Sequence, residues 1–241
     1  MKKHEKQLNK NLILIGGTIL LLVISYCLLV PILSSAQTPP QFLISWKAYN
    51  YAPSWYQGKN FPIYSTPIEI SFELLENDKI VNLSKHEIRW YINDSLFAKG
   101  KGLQTISFVS KNRAGTNMVI RIAIVAYKGE ELNKLIYIPA KSPEVVINSP
   151  YLTNIAKIGE TYRFKALPFL FNANRLNNLS FDWTVNNQAV FSEEVDENPD
   201  ILILNVSTST PAGMQINLSA VVSNILNTVE SATENFKLIA K

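Results

Sequence analysis

The chain has 241 residues, with one Cys, two His, 47% apolar residues and only 17% charged residues. So few Cys and His exclude a disulfide framework, a Cys/His zinc module and an iron–sulfur centre, and leave little for histidine-based catalysis. The net charge is +4, but residues 1–36 hold four Lys and one Glu, so the remainder carries only +1 and no basic stripe for nucleic acid.

Residues 12–33 read LILIGGTILLLVISYCLLVPIL, 22 positions without a charge. As a helix they span about 33 Å, the thickness of a bilayer core. The lysines at 2, 3, 6 and 10 precede this run and hold a short tail, 1–11, in the cytoplasm. The segment is expected to be a transmembrane signal anchor. Cleavage after Ala36 is the alternative, because Ser34-Ser35-Ala36 offers small residues and Pro31 lies just upstream. Tyr26 is too large for the position before a lipid-modified Cys27. Either way the bulk of the chain is expected outside the cytoplasm, on a cytoplasmic membrane or secreted from it.

From residue 37 onward the pattern is all-β. Alternating runs rich in Val, Ile, Phe, Tyr and Thr predict strands at 42–48, 68–74, 87–93, 105–110, 119–127 and 135–139. A second set is predicted at 145–148, 161–167, 179–186, 201–206, 216–223 and 229–238. The two sets match each other. Ile88-Arg-Trp90-Tyr-Ile92-Asn93-Asp94 reappears as Phe181-Asp-Trp183-Thr-Val185-Asn186-Asn187, 93 residues on. Each is followed by a strand, a turn with a glycine (Gly115, Gly213) and a long alternating strand. A period of this size is one sandwich-sized unit. The Pro139-Ala-Lys-Ser-Pro143 stretch reads as a stiff linker, which divides the exported part into 37–141 and 143–241.

In each copy the Trp and the following Ile or Val lie two apart, so they share one face of a strand. That face is expected to be core: Trp90, Ile92, Ile122 and Ile124 in the first copy, Trp183, Val185, Leu218 and Ala220 in the second. The Asn-Asp and Asn-Asn pairs suit a tight hairpin with positive φ. This motif resembles strand C and the C–C′ turn of bacterial immunoglobulin-like and PKD-like surface domains. The antibody-type cysteine pair and the Gly-Asp-Gly run of PKD domains are absent. The resemblance covers about residues 40–241 and implies two tandem immunoglobulin-like β-sandwiches, working as a stalk, adhesion or assembly module at a bacterial surface; with the apolar run before them, the expected architecture is all-β after one N-terminal transmembrane helix.

Candidate chemistry is sparse. His86 is the single histidine after the leader, and it reads as a solvated loop residue. There is no G-x-S-x-G elbow and no Gly-rich phosphate loop, so no cofactor is implied. Glu193, Glu194, Asp196, Glu197 and Asp200 put five acids in eight residues. Clustered carboxylates could bind calcium, or could form a solvated loop guarding a sheet edge. Five N-x-[ST] sequons, at Asn82, Asn93, Asn178, Asn205 and Asn217, read as chance in an Asn-rich chain.

Aromatics are concentrated between 46 and 64, where Trp46, Tyr49, Tyr51, Trp55, Tyr56, Phe61 and Tyr64 fall within 19 positions. Pro53 and Gly58 mark the centre of this stretch as a loop. Tyr49, Tyr51, Trp55, Tyr56 and Phe61 are the candidate binding residues, for a protein groove or a sugar ring. Packing on the sandwich edge and contact with the nearby membrane are the other readings. The sequence thus predicts a non-catalytic, membrane-anchored binding or scaffold protein. An accessory subunit of an envelope secretion or pilus apparatus is the alternative, with Gly16-Gly17 and Ser25 as helix contact points. A glycan hydrolase using scattered carboxylates comes third.

Overall fold

The computed structural model describes residues 39–190 and 198–241. The predicted membrane span at 12–33 and the acids Glu193, Glu194, Asp196 and Glu197 lie outside the described residues. No helix among the described residues is long and apolar enough to cross a membrane.

The first copy contributes eight strands: β1 (Gln41–Ala48), β2 (Pro67–Glu76), β3 (Lys79–Ile80), β4 (Glu87–Ile92), β5 (Ser95–Lys101), β6 (Thr105–Val109), β7 (Asn117–Tyr127) and β8 (Glu130–Pro139). One sheet runs β1-β2-β3, with β6 also paired to β2; the other runs β5-β4-β7-β8. The second copy adds β9 (Glu144–Asn148), β10 (Ile155–Ala156), β11 (Thr161–Phe169), β12 (Leu179–Val185), β13 (Gln188–Ala189), β14 (Ile201–Asn205), β15 (Gln215–Asn224) and β16 (Asn227–Ala240). Its sheets run β14-β11-β9 and β10-β16-β15-β12-β13. In both copies the first, second and fifth main strands share one sheet and the third, sixth and seventh share the other. That is the immunoglobulin-like partition of A, B and E against C, F and G, with C′ added beside C.

Period-2 alternation places one face of each strand inside. β2 reads out–in with Ile68, Ile70, Phe72 and Leu74 buried, and β7 supplies Ile120, Ile122 and Ile124 opposite them. Trp90 joins this core from β4. A second core, from 145 to 240, gathers Phe164, Phe181, Trp183, Leu202, Leu218 and Ala220. Ile92 and Val185 are half-buried and pack against their cores from the strand ends.

The repeat extends to hydrogen bonds. Trp90 stands opposite Ile122 and Trp183 opposite Ala220. The Trp90 indole N–H donates to the Leu103 carbonyl at 2.8 Å, and that of Trp183 to the Pro199 carbonyl at 3.1 Å. Each carbonyl lies two residues before the E-type strand. Asn93 and Asp94 have φ 47 and 64°, Asn186 and Asn187 φ 49 and 64°. Two successive positive φ values make a type I′ hairpin turn, which Asn and Asp tolerate. Asn93 Oδ1 accepts from the Val119 N–H and Asn186 Oδ1 from the Asn217 N–H, tying each turn to its F-type strand. Gly115 and Gly213, with φ 80 and 83°, donate to the carbonyls of Ala140 and Ala240.

Four strands escape the sequence reading: β3, β5, β10 and β13. Three have only two residues. β5 (SLFAKGK) lies mostly exposed at a sheet edge, so its pattern does not alternate. β8 begins at Glu130, not at 135, because its polar first half is also an exposed edge. Phe42–Leu74 and Val81–Lys241 form one compact unit. The β2–β3 tip at 75–80, taken by itself, is a further hairpin with Asn77 and Asp78 at φ 49 and 58°.

Candidate functional site

The segment between β1 and β2 divides its aromatic rings between two directions. Tyr51 and Phe61 turn inward and are half-buried. Tyr51 forms an antiparallel bridge with Phe171: its N–H donates to the Phe171 carbonyl at 2.6 Å, and its own carbonyl accepts from the Leu170 N–H at 2.7 Å. Burial, and secondarily the Asp200 carboxylate, push the Tyr51 phenol above its ordinary value. Phe61 packs on Trp46 with ring centroids 6.0 Å apart. Tyr49, Trp55 and Tyr56 remain 45%, 62% and 37% exposed. Trp55 and Tyr56 nonetheless meet Phe169 edge-on, at 6.2 and 5.4 Å. Packing therefore accounts for part of the cluster, and four rings are left on the surface, Tyr64 with 59% exposure being the fourth.

The same segment joins the two sandwiches through one asparagine. Each polar group of Asn172 has a partner. Its N–H donates to Glu230 Oε1, and its carbonyl accepts from Asn224 Nδ2. Its Nδ2 donates to the Tyr64 carbonyl at 2.8 Å, and its Oδ1 accepts from the Thr66 hydroxyl at 2.7 Å. Thr66, Asn224 and Glu230 are all buried, and Thr66 Oγ1 in turn accepts from the Ile63 N–H. Buried polar groups need partners, and here two buried groups from one sandwich and one from the other find theirs on the same residue. Asn50 adds a bond across the joint, from Nδ2 to the Leu170 carbonyl at 3.3 Å. Leu170 itself has φ 66°. A bulky residue held there costs about 1–2 kcal/mol, so the surrounding contacts must hold it.

Sequence reasoning found the aromatic segment but missed Thr66, Asn172, Asn224 and Glu230. One signal pointed to the joint: the apolar run Pro168-Phe-Leu-Phe171 continues past the end of β11 into a loop, and a loop that apolar must be covered.

Of the five-acid cluster, Asp200 lies among the described residues. Asp200 is buried and paired with Lys165 Nζ at 3.2 Å. No group of three His, Cys, Asp or Glu that could hold a metal occurs among the described residues. The His86 ring lies 5.5 Å from that of Tyr127, and its backbone closes a turn with Leu83 and Gly102. Of the sequon asparagines, Asn93 is committed to its hairpin, and Asn205 Oδ1 accepts from the Thr161 hydroxyl.

A groove of about 510 Å³ opens between the end of β1 and the loop, lined by Trp46, Lys47, Asn50, Tyr56, Lys59 and Asn60 among others. Lys59 Nζ sits over the Trp46 ring at 3.8 Å, and Lys47 Nζ over Tyr49 at 4.8 Å. Desolvation lowers the Lys59 ammonium from its ordinary value.

No protein-family model matches the chain, and no curated protein matches it by sequence. Among solved structures, the fibronectin(III)-like modules of Clostridium thermocellum CbhA are 14% identical, with 83% of this chain and 94% of that chain covered and a TM-score of 0.30. Three N-terminal domains of the bacteriophage RB49 outer capsid protein Hoc are 8% identical, with 83% and 59% covered and a TM-score of 0.42. The Ig1-2 module of the Drosophila receptor protein tyrosine phosphatase DLAR is 13% identical, with 85% and 100% covered and a TM-score of 0.27. The sandwich assignment rests on the sheets and cores themselves.

Proposed function

We propose that this chain is a non-catalytic binding and scaffold protein of a bacterial surface, anchored in the membrane by residues 12–33. In this reading 37–141 and 143–241 are two domains that work as one presented unit. One observation carries it. The loop that ties the sandwiches together also keeps Tyr49, Trp55 and Tyr56 exposed. Large rigid rings on a loop anchored by a buried polar joint lose little entropy on binding, which is the usual composition of a recognition surface. Trp55 is the preferred anchor, because at 62% it is the most exposed of the three.

The test is crosslinking in living cells with a tagged full-length chain, read by mass spectrometry. The expected result is a defined partner set with the wild type that is lost with Trp55→Ala while the variant keeps its membrane location and level. Equal recovery by both forms, or recovery of neither partner nor membrane fraction, overturns the reading.

A further inference from the structure

We propose that the groove beside β1 binds an acidic oligosaccharide, with its carboxylate or phosphate held by Lys47 and Lys59. This rests on the reading of the chain as a binding module and names the class of ligand for one of its surfaces.

Charge is the first argument. Two lysines line the groove and no acid does. Neither lysine forms an ion pair with a described acid. Lys59 is instead placed on the face of Trp46, a position that fixes the ammonium while leaving N–H donors for an anion. Desolvation disfavours its charge, and an incoming anion would offset that cost.

The second argument is the remaining lining. Asn50, Gln57 and Asn60 line the groove; the amide groups of Asn50 and Asn60 already donate to the Phe61 and Asn50 carbonyls, at 2.7 and 2.9 Å, which leaves the exposed Gln57 carboxamide to offer donor and acceptor on one group. Sugar hydroxyls require that pairing. Tyr56 supplies the flat apolar face on which a pyranose ring stacks. Its ring lies across Gly58, close enough that a Cβ there would fall 2.3 Å from it. An acidic peptide would share the lysines, and a carboxamide pairs equally well with a peptide backbone, so the stacking face of Tyr56 is what favours a sugar.

Gly58 provides a variant that spares the fold. Gly58 does not have a positive φ, and the added methyl of Gly58→Ala meets only the far end of a flexible side chain. It should push the Tyr56 ring aside and leave the lysines in place.

The experiment is titration of the full-length chain in nanodiscs, by calorimetry, with four probes: hexagalacturonate, mannopentaose phosphate, neutral maltohexaose and hexaglutamate. One of the two acidic sugars should bind roughly tenfold or more tightly than the neutral sugar and the peptide, the size expected for a charge-assisted hydrogen bond. Lys59→Gln and Lys47→Gln should each lose most of that preference. Gly58→Ala should weaken the acidic sugar while the circular dichroism and melting of the chain stay unchanged. Which acidic sugar binds identifies the anion. Equal or tighter binding of hexaglutamate would assign the groove to acidic peptides and overturn the proposal. Equal binding of maltohexaose, or no binding of either acidic sugar at millimolar concentration, would overturn it as well. Because Trp55 does not line this groove, loss of the sugar would leave the crosslinking result standing, and loss of crosslinked partners would leave the titration standing.

Discussion

Two parts of each sandwich can be compared directly: the tryptophan with its hairpin, and the connection that leaves the second strand. The first part is the same twice. Trp90 and Trp183 are 0% and 2% exposed, donate to equivalent carbonyls and precede equivalent type I′ turns. The second part differs. After β2 the chain makes a hairpin at Asn77-Asp78 and passes through Asn82, whose side chain accepts from the nearby Ser84 N–H. After β11 it turns through Leu170 at φ 66° and presents Phe171 and Asn172 to the other sandwich. The core of the fold constrains the first part in both copies. The second part is free to vary, and in one copy it has taken on contacts between sandwiches.

The strongest way to break this comparison is to remove the tryptophans. Trp90→Ala and Trp183→Ala should each destabilise by about 3–5 kcal/mol, as expected for emptying a buried aromatic site. Urea unfolding followed by circular dichroism reads this, and equivalence requires similar losses in the two variants. A loss below about 0.5 kcal/mol in either one, within the range of ordinary surface changes, would show that the two sites are alike in geometry but not in energy.

A middle-sized effect separates the two connections. Asn172→Ala removes Nδ2 and Oδ1 and leaves the Thr66 hydroxyl, 0% exposed, without its acceptor. The Tyr64 carbonyl loses its donor as well. Leaving such groups unsatisfied should cost about 1–3 kcal/mol. Asn82→Ala, at an exposed residue in the corresponding connection of the first copy, should stay within about 0.5 kcal/mol. Spin labels on the two sandwiches should also report a broader distance distribution for Asn172→Ala and none for Asn82→Ala. Equal effects from both would mean that Asn172 serves its own loop and not the joint.

The contrast also explains how far the sequence could be read. Trp90 and Ile92 are two apart on one strand, and strand geometry alone assigns them a face, so the repeat and its turns were legible from spacing. The joint was not, because its bonds link residues such as Thr66 and Asn172 that are 106 positions apart. No local pattern distinguishes Tyr51, which turns inward, from Tyr49, which does not. That choice is made by Phe171 across the joint. Edge strands were also hard to read, since β5 and the start of β8 have no buried face to impose alternation. Asp200 looked like one acid among five, yet the partner it finds, Lys165, lies on β11.

The smallest expected effect concerns pH, and it belongs to the joint alone. The ordinary phenol value is 10.0, and Tyr51 lies above it in the folded chain. As pH rises past 10, the unfolded chain gives up this proton first and the folded chain keeps it. The unfolded state then binds fewer protons, so stability falls with rising pH in that window. The contribution is whole below pH 10 and is lost as pH climbs through the folded value. Tyr51→Phe keeps the ring and removes the proton, so the alkaline loss of stability should become shallower. Asp200→Asn should act in the same direction but less, because the Asp200 carboxylate is the second cause of the shift and burial the first. Urea midpoints measured between pH 8 and 11 would show this. An alkaline limb unchanged by Tyr51→Phe would mean that the phenol is free to ionise in place, and that its bridge to Phe171 does not seal the joint from water.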